Sequence, residues 1–437
     1  MRKLTIIRIS YTLWVFVALL FGVNLYFSEN ANLDDPIVAV EISIAKDMLW
    51  LTIVFVCFFV GRRTLWNKGI LFEFFIVTIF CIIEGLIIYI VLGELDVTYI
   101  KIFKNLFLYV AITFILINII VEAGLEKNFL YMLHTAMLVS IGVSLVFYFF
   151  YPVQSSTQRL FGTYGNPNVA GFIVVYCIAL YYMLEQNQRT KLRLLGTFAL
   201  GGTALLLSGS ISAFLALVML IPLVGIFWVS IHRHIKLSSV VTSLLIFVGF
   251  LFCGVLLFFS LSSFLEENPL EVRLTSILAG GLENDTIAIR IRDFMRVLDS
   301  DCQHDINVIL FGCLPDFYER MDSTIVSFGY NFGLMGLLIV VLIIIVPYFK
   351  FLSVPRYFFS SAPVARLPWL LALLTVVIIF SLPIQHSFEI FPSNFLFSSL
   401  ISILILDLRK YNIDRKKHEG RSGFFLLPRK IIKSIES

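Results

Sequence analysis

Guanidinium groups bind phosphate oxygens through two parallel hydrogen bonds. Two stretches of this sequence place arginines among residues that suit such a ligand. The first runs Arg159, Leu160, Phe161, Gly162, Thr163, Tyr164, Gly165, Asn166, Pro167, Asn168. Its glycines and asparagines permit tight, positive-φ backbone, and Asn166-Pro167 disfavours helix just ahead of the next apolar run. Asn168 is placed to cap that run, leaving backbone N–H groups directed at water with the Arg159 cation beside them. Such a set suits an anion such as phosphate. An ordinary interhelical turn with a capping asparagine is the plainer alternative, and the residues alone leave both readings open. The second stretch holds Arg290, Arg292, Asp293 and Arg296. On a helix Arg292 and Arg296 share one face, with Arg290 nearby. They form either a clamp for a pyrophosphate or a surface helix paired with the carboxylates around it.

Other residues extend the set. The segment Leu207-Ser208-Gly209-Ser210-Ile211-Ser212-Ala213 is a small-residue hinge between two apolar runs. Small residues let helices approach closely, while Ser210 and its neighbours would also line a polar cavity with hydroxyls. Asp322 precedes a run containing Gly329, Gly333 and Gly336. A carboxylate there can take a proton from a sugar hydroxyl or cap a helix. Glu84 falls inside an apolar run, where a carboxylate is costly and is a functional candidate by default; a protonated or arginine-paired group is the plainer alternative. His386 and Glu389 are secondary candidates, and His232 and His234 in a basic loop are expected to face water. No metal-ligand cluster of useful spacing, nucleotide-binding glycine loop or zinc-helix motif occurs. Metal and cofactor are therefore both expected to be none.

The elements that must hold these residues follow from composition. The chain has 437 residues, 59% hydrophobic and 14% charged, with 44 Phe and a mean hydropathy of +0.94. Soluble globular proteins are about 45–50% apolar and about 25% charged, so a soluble enzyme is excluded first. Disordered chains are polar, a disulfide scaffold needs more than 6 Cys in this length, and the alternating segments of an outer-membrane barrel are missing. An all-α polytopic membrane protein remains. Twelve apolar runs are candidates for spans: 9–27, 42–60, 70–92, 105–121, 129–150, 168–184, 194–208, 213–231, 238–262, 327–347, 368–383 and 394–407.

The first run follows Met1-Arg2-Lys3 and is too long for a signal-peptide core. It is read as a retained span with a cytoplasmic N-terminus, and twelve spans return the C-terminus to the same side. With that orientation the cytoplasmic segments hold 24 of the 33 Lys and Arg, as the positive-inside rule requires. Residues 408–437 form a basic cytoplasmic tail, read as an anchor facing lipid headgroups; no nucleic-acid partner is expected. Residues 263–326, between spans nine and ten, contain no spanning run and carry twelve acidic residues. They are the large extracytoplasmic loop, and Cys302 and Cys313 within it are candidates to pair. The whole chain, 1–437, is read as one integral membrane domain.

The run from Arg159 through Gly162, Gly165, Asn166, Pro167 and Asn168 to Gly171 resembles the signature of the O-antigen polymerase and ligase superfamily of bacterial envelopes. Residues 207–213 resemble that family's next block, with Ile211 where the family often has Arg. Arg290 and Arg292, then Leu310-Phe311-Gly312, then Asp322 before a glycine-rich span follow in the family's order, without the second Gly often found near Leu314. The likeness covers about residues 150–345. It implies a membrane glycosyltransferase of GT-C type, metal-independent, in the bacterial inner membrane with a periplasmic active site. Its donor and acceptor would be glycans on undecaprenyl pyrophosphate, amid membrane lipid and with a chain-length regulator protein as a possible partner. Ligases of the family commonly carry His then Asn before the glycine-rich span. Asp322-Ser323 here favours the polymerase of repeat units over the ligase that loads lipid A–core. Taken together with the residue readings above, the catalytic candidates are Arg159, Arg290 and Asp322, and the substrate-binding candidates are Arg292, Arg296, Asn166, Asn168, Gly162, Ser210 and Glu84. A lipid-linked sugar transporter is the rival. It would show paired broken helices and internal repeats, and none is evident in the sequence.

Overall fold

A computed structural model of the chain describes residues 68–94, 126–150, 159–160, 167–231, 306–313, 324–345 and 366–381, with short pieces at 48, 99–100, 102–104, 106–107, 295, 348, 396, 399–401 and 403. These residues are mostly helical, and no strand occurs among them. The helices are α1 (Lys68–Leu92), α2 (Glu126–Phe150), α3 (Pro167–Met183), α4 (Lys191–Ser208), α5 (Ile211–Ile231), α6 (Ile306–Phe311), α7 (Thr324–Val340) and α8 (Leu367–Val376). Single π-helical turns, Val341–Ile345 and Val377–Ser381, prolong α7 and α8. Stretches Phe75–Leu92, Asn128–Phe150 and Ile211–Val229 are long and apolar enough to cross a membrane. The described residues thus form a mostly helical protein with three candidate membrane-spanning helices.

Helix α3 is the axis of the described bundle. It packs against α4, α2, α8 and α5. From Val169 to Met183 every side chain but Tyr182 is buried, which is why this helix is apolar on all sides. Pro167 opens it at the first helical position, where a missing N–H costs nothing. At its far end Tyr182 stacks on Trp369 of α8, ring centroids 4.2 Å apart. Helix α4 turns one side inward: an added Cβ at Gly201 would lie 3.1 Å from Val174 Cγ1 of α3. Its Leu192, Leu195 and Phe198 are exposed, as are Ile82, Leu86 and Ile90 of α1 and Leu215, Ile226 and Trp228 of α5. Apolar faces of this extent suit lipid rather than water.

Helix α7 departs from the sequence expectation of unbroken spans. Gly333 has φ 56° and ψ −146° inside it, so the helix is interrupted there. The cause lies across the interface. Gly312, at φ 84°, follows α6 and presses backbone to backbone on the break. A Cβ on Gly333 would lie 2.5 Å from Gly312 N, and one on Gly312 2.4 Å from Asn331 O. Cys313 N donates to Tyr330 O at 2.9 Å. Only residues without a side chain permit this contact.

Candidate functional site

The loop between α4 and α5 is built from local rules. Gly209 closes α4 in the left-handed conformation, and its N–H returns to Leu206 O. Two residues later α5 begins. Ser210 Oγ accepts from Ala213 N at 3.4 Å, the bond of an N-cap serine. Ser210 N donates to Ser208 Oγ at 3.3 Å, and Ser208 Oγ to Leu205 O at 2.8 Å. Ser210 is fully buried, so its hydroxyl serves the helix start. The close approach that small residues allow is seen at this hinge. Gly171 of α3 faces it, and a Cβ there would sit 2.7 Å from Ser210 Cβ and 2.8 Å from Ala213 Cβ.

Residues 159–160 lie across the end of α4. Leu160 N donates to Leu207 O at 2.8 Å. Arg159 Nε donates to Ser208 O at 2.8 Å, and Arg159 Nη2 reaches Gly209 O at 3.4 Å and Asn168 Oδ1 at 3.3 Å. The guanidinium thus satisfies carbonyls that a helix end leaves without intrahelical donors and opposes the negative end of the α4 dipole. Asn168 is not the helix cap that its sequence position suggested. Helix α3 already begins at Pro167, so Asn168 lies in the first turn and its carbonyl oxygen holds Arg159. The result is a half-buried cation where the C-terminus of α4 meets the N-terminal turns of α3 and α5. Helix N-termini and a fixed guanidinium favour an anion together.

Of the residues expected at the site, Arg159, Asn168 and Ser210 come together here. Gly162, Asn166, Arg290, Arg292, Arg296 and Asp322 lie outside the described residues, as do Cys302, His232, His234, His386, Glu389 and the 408–437 tail. Glu84 is elsewhere, on α1, whose main packing among the described elements is against α7. No group of three or more His, Cys, Asp or Glu able to hold a metal occurs among the described residues. No family model matches the chain, and no curated protein sequence matches it.

Sequence reasoning missed a second polar cluster at the opposite end of the α3–α4 hairpin. Arg189 Nε donates to Leu184 O at 2.9 Å, and its Nη2 to Tyr182 O, at the end of α3. Arg193 Nη1 bonds His134 Nδ1 at 3.0 Å, and Nη2 donates to Thr135 Oγ1 at 2.8 Å. The Arg193 guanidinium carbon lies 3.8 Å over the Tyr131 ring centroid. His134 Nε2 meets Thr197 Oγ1 at 3.1 Å, and Thr197 Oγ1 donates to Arg193 O at 2.7 Å. Because arginine only donates, His134 Nδ1 accepts and Nε2 carries the proton. The signal was available: a histidine inside an apolar run is an intramembrane polar group and calls for a partner.

Proposed function

We propose that the chain is a membrane glycosyltransferase that polymerises oligosaccharide repeat units carried on undecaprenyl pyrophosphate, acting on the periplasmic side of a bacterial inner membrane. One observation supports the reading. Two stretches about 40 residues apart, Arg159 with Asn168 and Ser208 with Gly209, each similar to one of two successive blocks of the O-antigen polymerase and ligase superfamily, meet at one guanidinium.

In the proposed reaction the bond between the donor sugar's anomeric carbon and the pyrophosphate oxygen breaks, and the pyrophosphate leaves with the electron pair. The acceptor hydroxyl oxygen forms the new bond and gives its proton to Asp322. Arg159, with Arg290 and Arg292, stabilises the charge growing on the leaving group, and a cation held in place beforehand does this without reorganisation. Arg296 and the Asn166 loop belong to the same pyrophosphate grip. Water is excluded by the 263–326 loop, since a hydrolysed donor cannot be transferred. No metal is required.

In cells, Arg159→Ala or Arg290→Ala at normal protein level leaves lipid A–core bearing a single repeat. A normal long-chain ladder from both removes the assignment, and bare core marks the ligase instead. The interruption of α7 at Gly333 favours a second reading, a lipid-linked sugar transporter, because transporters use broken helices. Purified protein given lipid-linked repeat units separates the two: a polymerase lengthens chains, and a carrier moves units between leaflets and lengthens none.

A further inference from the structure

Most buried polar side chains described in this molecule have a visible partner. His134 has Thr197, Asn331 Nδ2 donates to Ser327 O at 2.8 Å, and Ser144 Oγ donates to Ser140 O at 2.7 Å. Glu84 differs. It is 0% exposed, and among the described residues neither carboxyl oxygen has a hydrogen-bond partner. Aromatic rings pack on the neighbouring turn of α1. Phe80, one turn earlier, packs edge-on against Phe103 and Phe332, with centroids 6.4 and 5.7 Å apart. Tyr99 and Phe103 meet Phe332 at 5.8 and 6.0 Å, and a Cβ at Gly85 would lie 3.7 Å from Phe103 Cε2. Among the described residues, the other titratable groups on the elements packed here are Lys68, Glu73, Cys81 and Tyr89 on α1 itself, Tyr99 and Lys104 on the 99–107 segment, and Tyr330 on α7.

An unpaired carboxylate in such a place is far costlier than a carboxylic acid. Helix geometry offers it no relief, since the donors of α1 are committed to its own backbone. We propose that Glu84 is a proton-binding site within the membrane-spanning part of the protein, a carboxyl that takes up and releases a proton between the α1 and α7 sides of the bundle. Intramembrane carboxyls of this kind serve proton relays. The site stands apart from the glycosyltransferase reading and does not depend on it.

The test uses purified full-length protein and a hydrophobic carbodiimide, with labelled peptides mapped by mass spectrometry. A carboxylic acid adds across the N=C=N bond. Its oxygen joins the central carbon and its proton goes to one nitrogen, so no further reactant is needed. Glu84 is expected to label at neutral pH. Labelling should fall about tenfold per pH unit once the carboxyl has titrated. Glu84→Gln should fold and carry no label at that position. A water-soluble carbodiimide with an added amine should label exposed carboxyls and spare Glu84. The infrared band of a protonated carboxyl, present in the wild type and missing in Glu84→Gln, gives a readout that needs no reagent access. Identical infrared spectra for the two proteins overturn the proposal. So does pH-independent labelling, or labelling that appears only after Lys104→Gln, which would reveal an ion pair.

Discussion

The two ends of the α3–α4 hairpin solve the same problem with the same residue. At one end Arg159 lies on the final carbonyls of α4; at the other Arg189 lies on those of α3. Each places a cation at the negative end of a helix dipole. An arginine beside a helix terminus is therefore no catalytic signal on its own. What separates the ends is the company. Near Arg189, the neighbouring Arg193 is enclosed by His134, Thr135 and the Tyr131 ring, a network closed upon itself. Arg159 is joined instead by Asn168 and by the first turns of two helices, an arrangement polarised to receive negative charge.

The comparison breaks most directly on Arg159→Ala against Arg189→Ala, measured as chain extension per folded protein. Arg159→Ala is expected to lower turnover by about 10²–10³-fold, the usual loss for one fixed donor to a developing anion. Arg189→Ala should lower only the amount of folded protein. Equal specific activities would make both arginines caps alone. Arg159→Lys sharpens the point, because lysine keeps the charge and loses the planar fork; it should recover folding more fully than turnover.

Next in size is His134→Ala. It removes the acceptor of Arg193 Nη1 and the ring N–H that meets Thr197 Oγ1, and should cost about 1–3 kcal/mol of stability, read by thermal unfolding in detergent. Gly171→Ala tests the other end by crowding. The added methyl must displace Ser210 and Ala213, for a comparable loss of about 1–3 kcal/mol, whereas Gly202→Ala on α4, with nothing within 4 Å of an added Cβ, should be tolerated. The smallest effects belong to the N-caps. Ser210→Ala and Thr190→Ala each remove one bond to a helix start and should each cost about 1 kcal/mol. Their equality would show that the Ser210 hydroxyl serves the fold in the same way as Thr190 does.

The α4–α5 boundary was legible in the sequence because its signals are local. Leu207 to Ala213 contains a glycine that can close one helix and a serine that can open the next, and the described ends, Ser208 and Ile211, fall within it. The apolar run 168–184 and the helix Pro167–Met183 agree to one residue because proline sets the start. The reading of Asn168 failed for a physical reason. An asparagine after proline resembles a cap, yet its side chain answers to an arginine brought against it by another segment. The interruption of α7 was hidden likewise. Gly333 is one of several glycines in its run, and only the approach of Gly312 singles it out.

Sequence alone determined that the chain is apolar enough for a membrane, and roughly where the described helices begin and end. Periodicity, proline, glycine and hydroxyl caps act within a few residues of themselves, so they can be read along one strand of letters. Tertiary structure decided which carbonyls Arg159 serves, 49 and 50 residues away, and that His134 meets Arg193 across 59. It also decided that Glu84 is buried with no hydrogen-bond partner among the described residues. A buried polar group is defined by what packing brings against it, and at those distances the neighbours are chosen by the whole bundle.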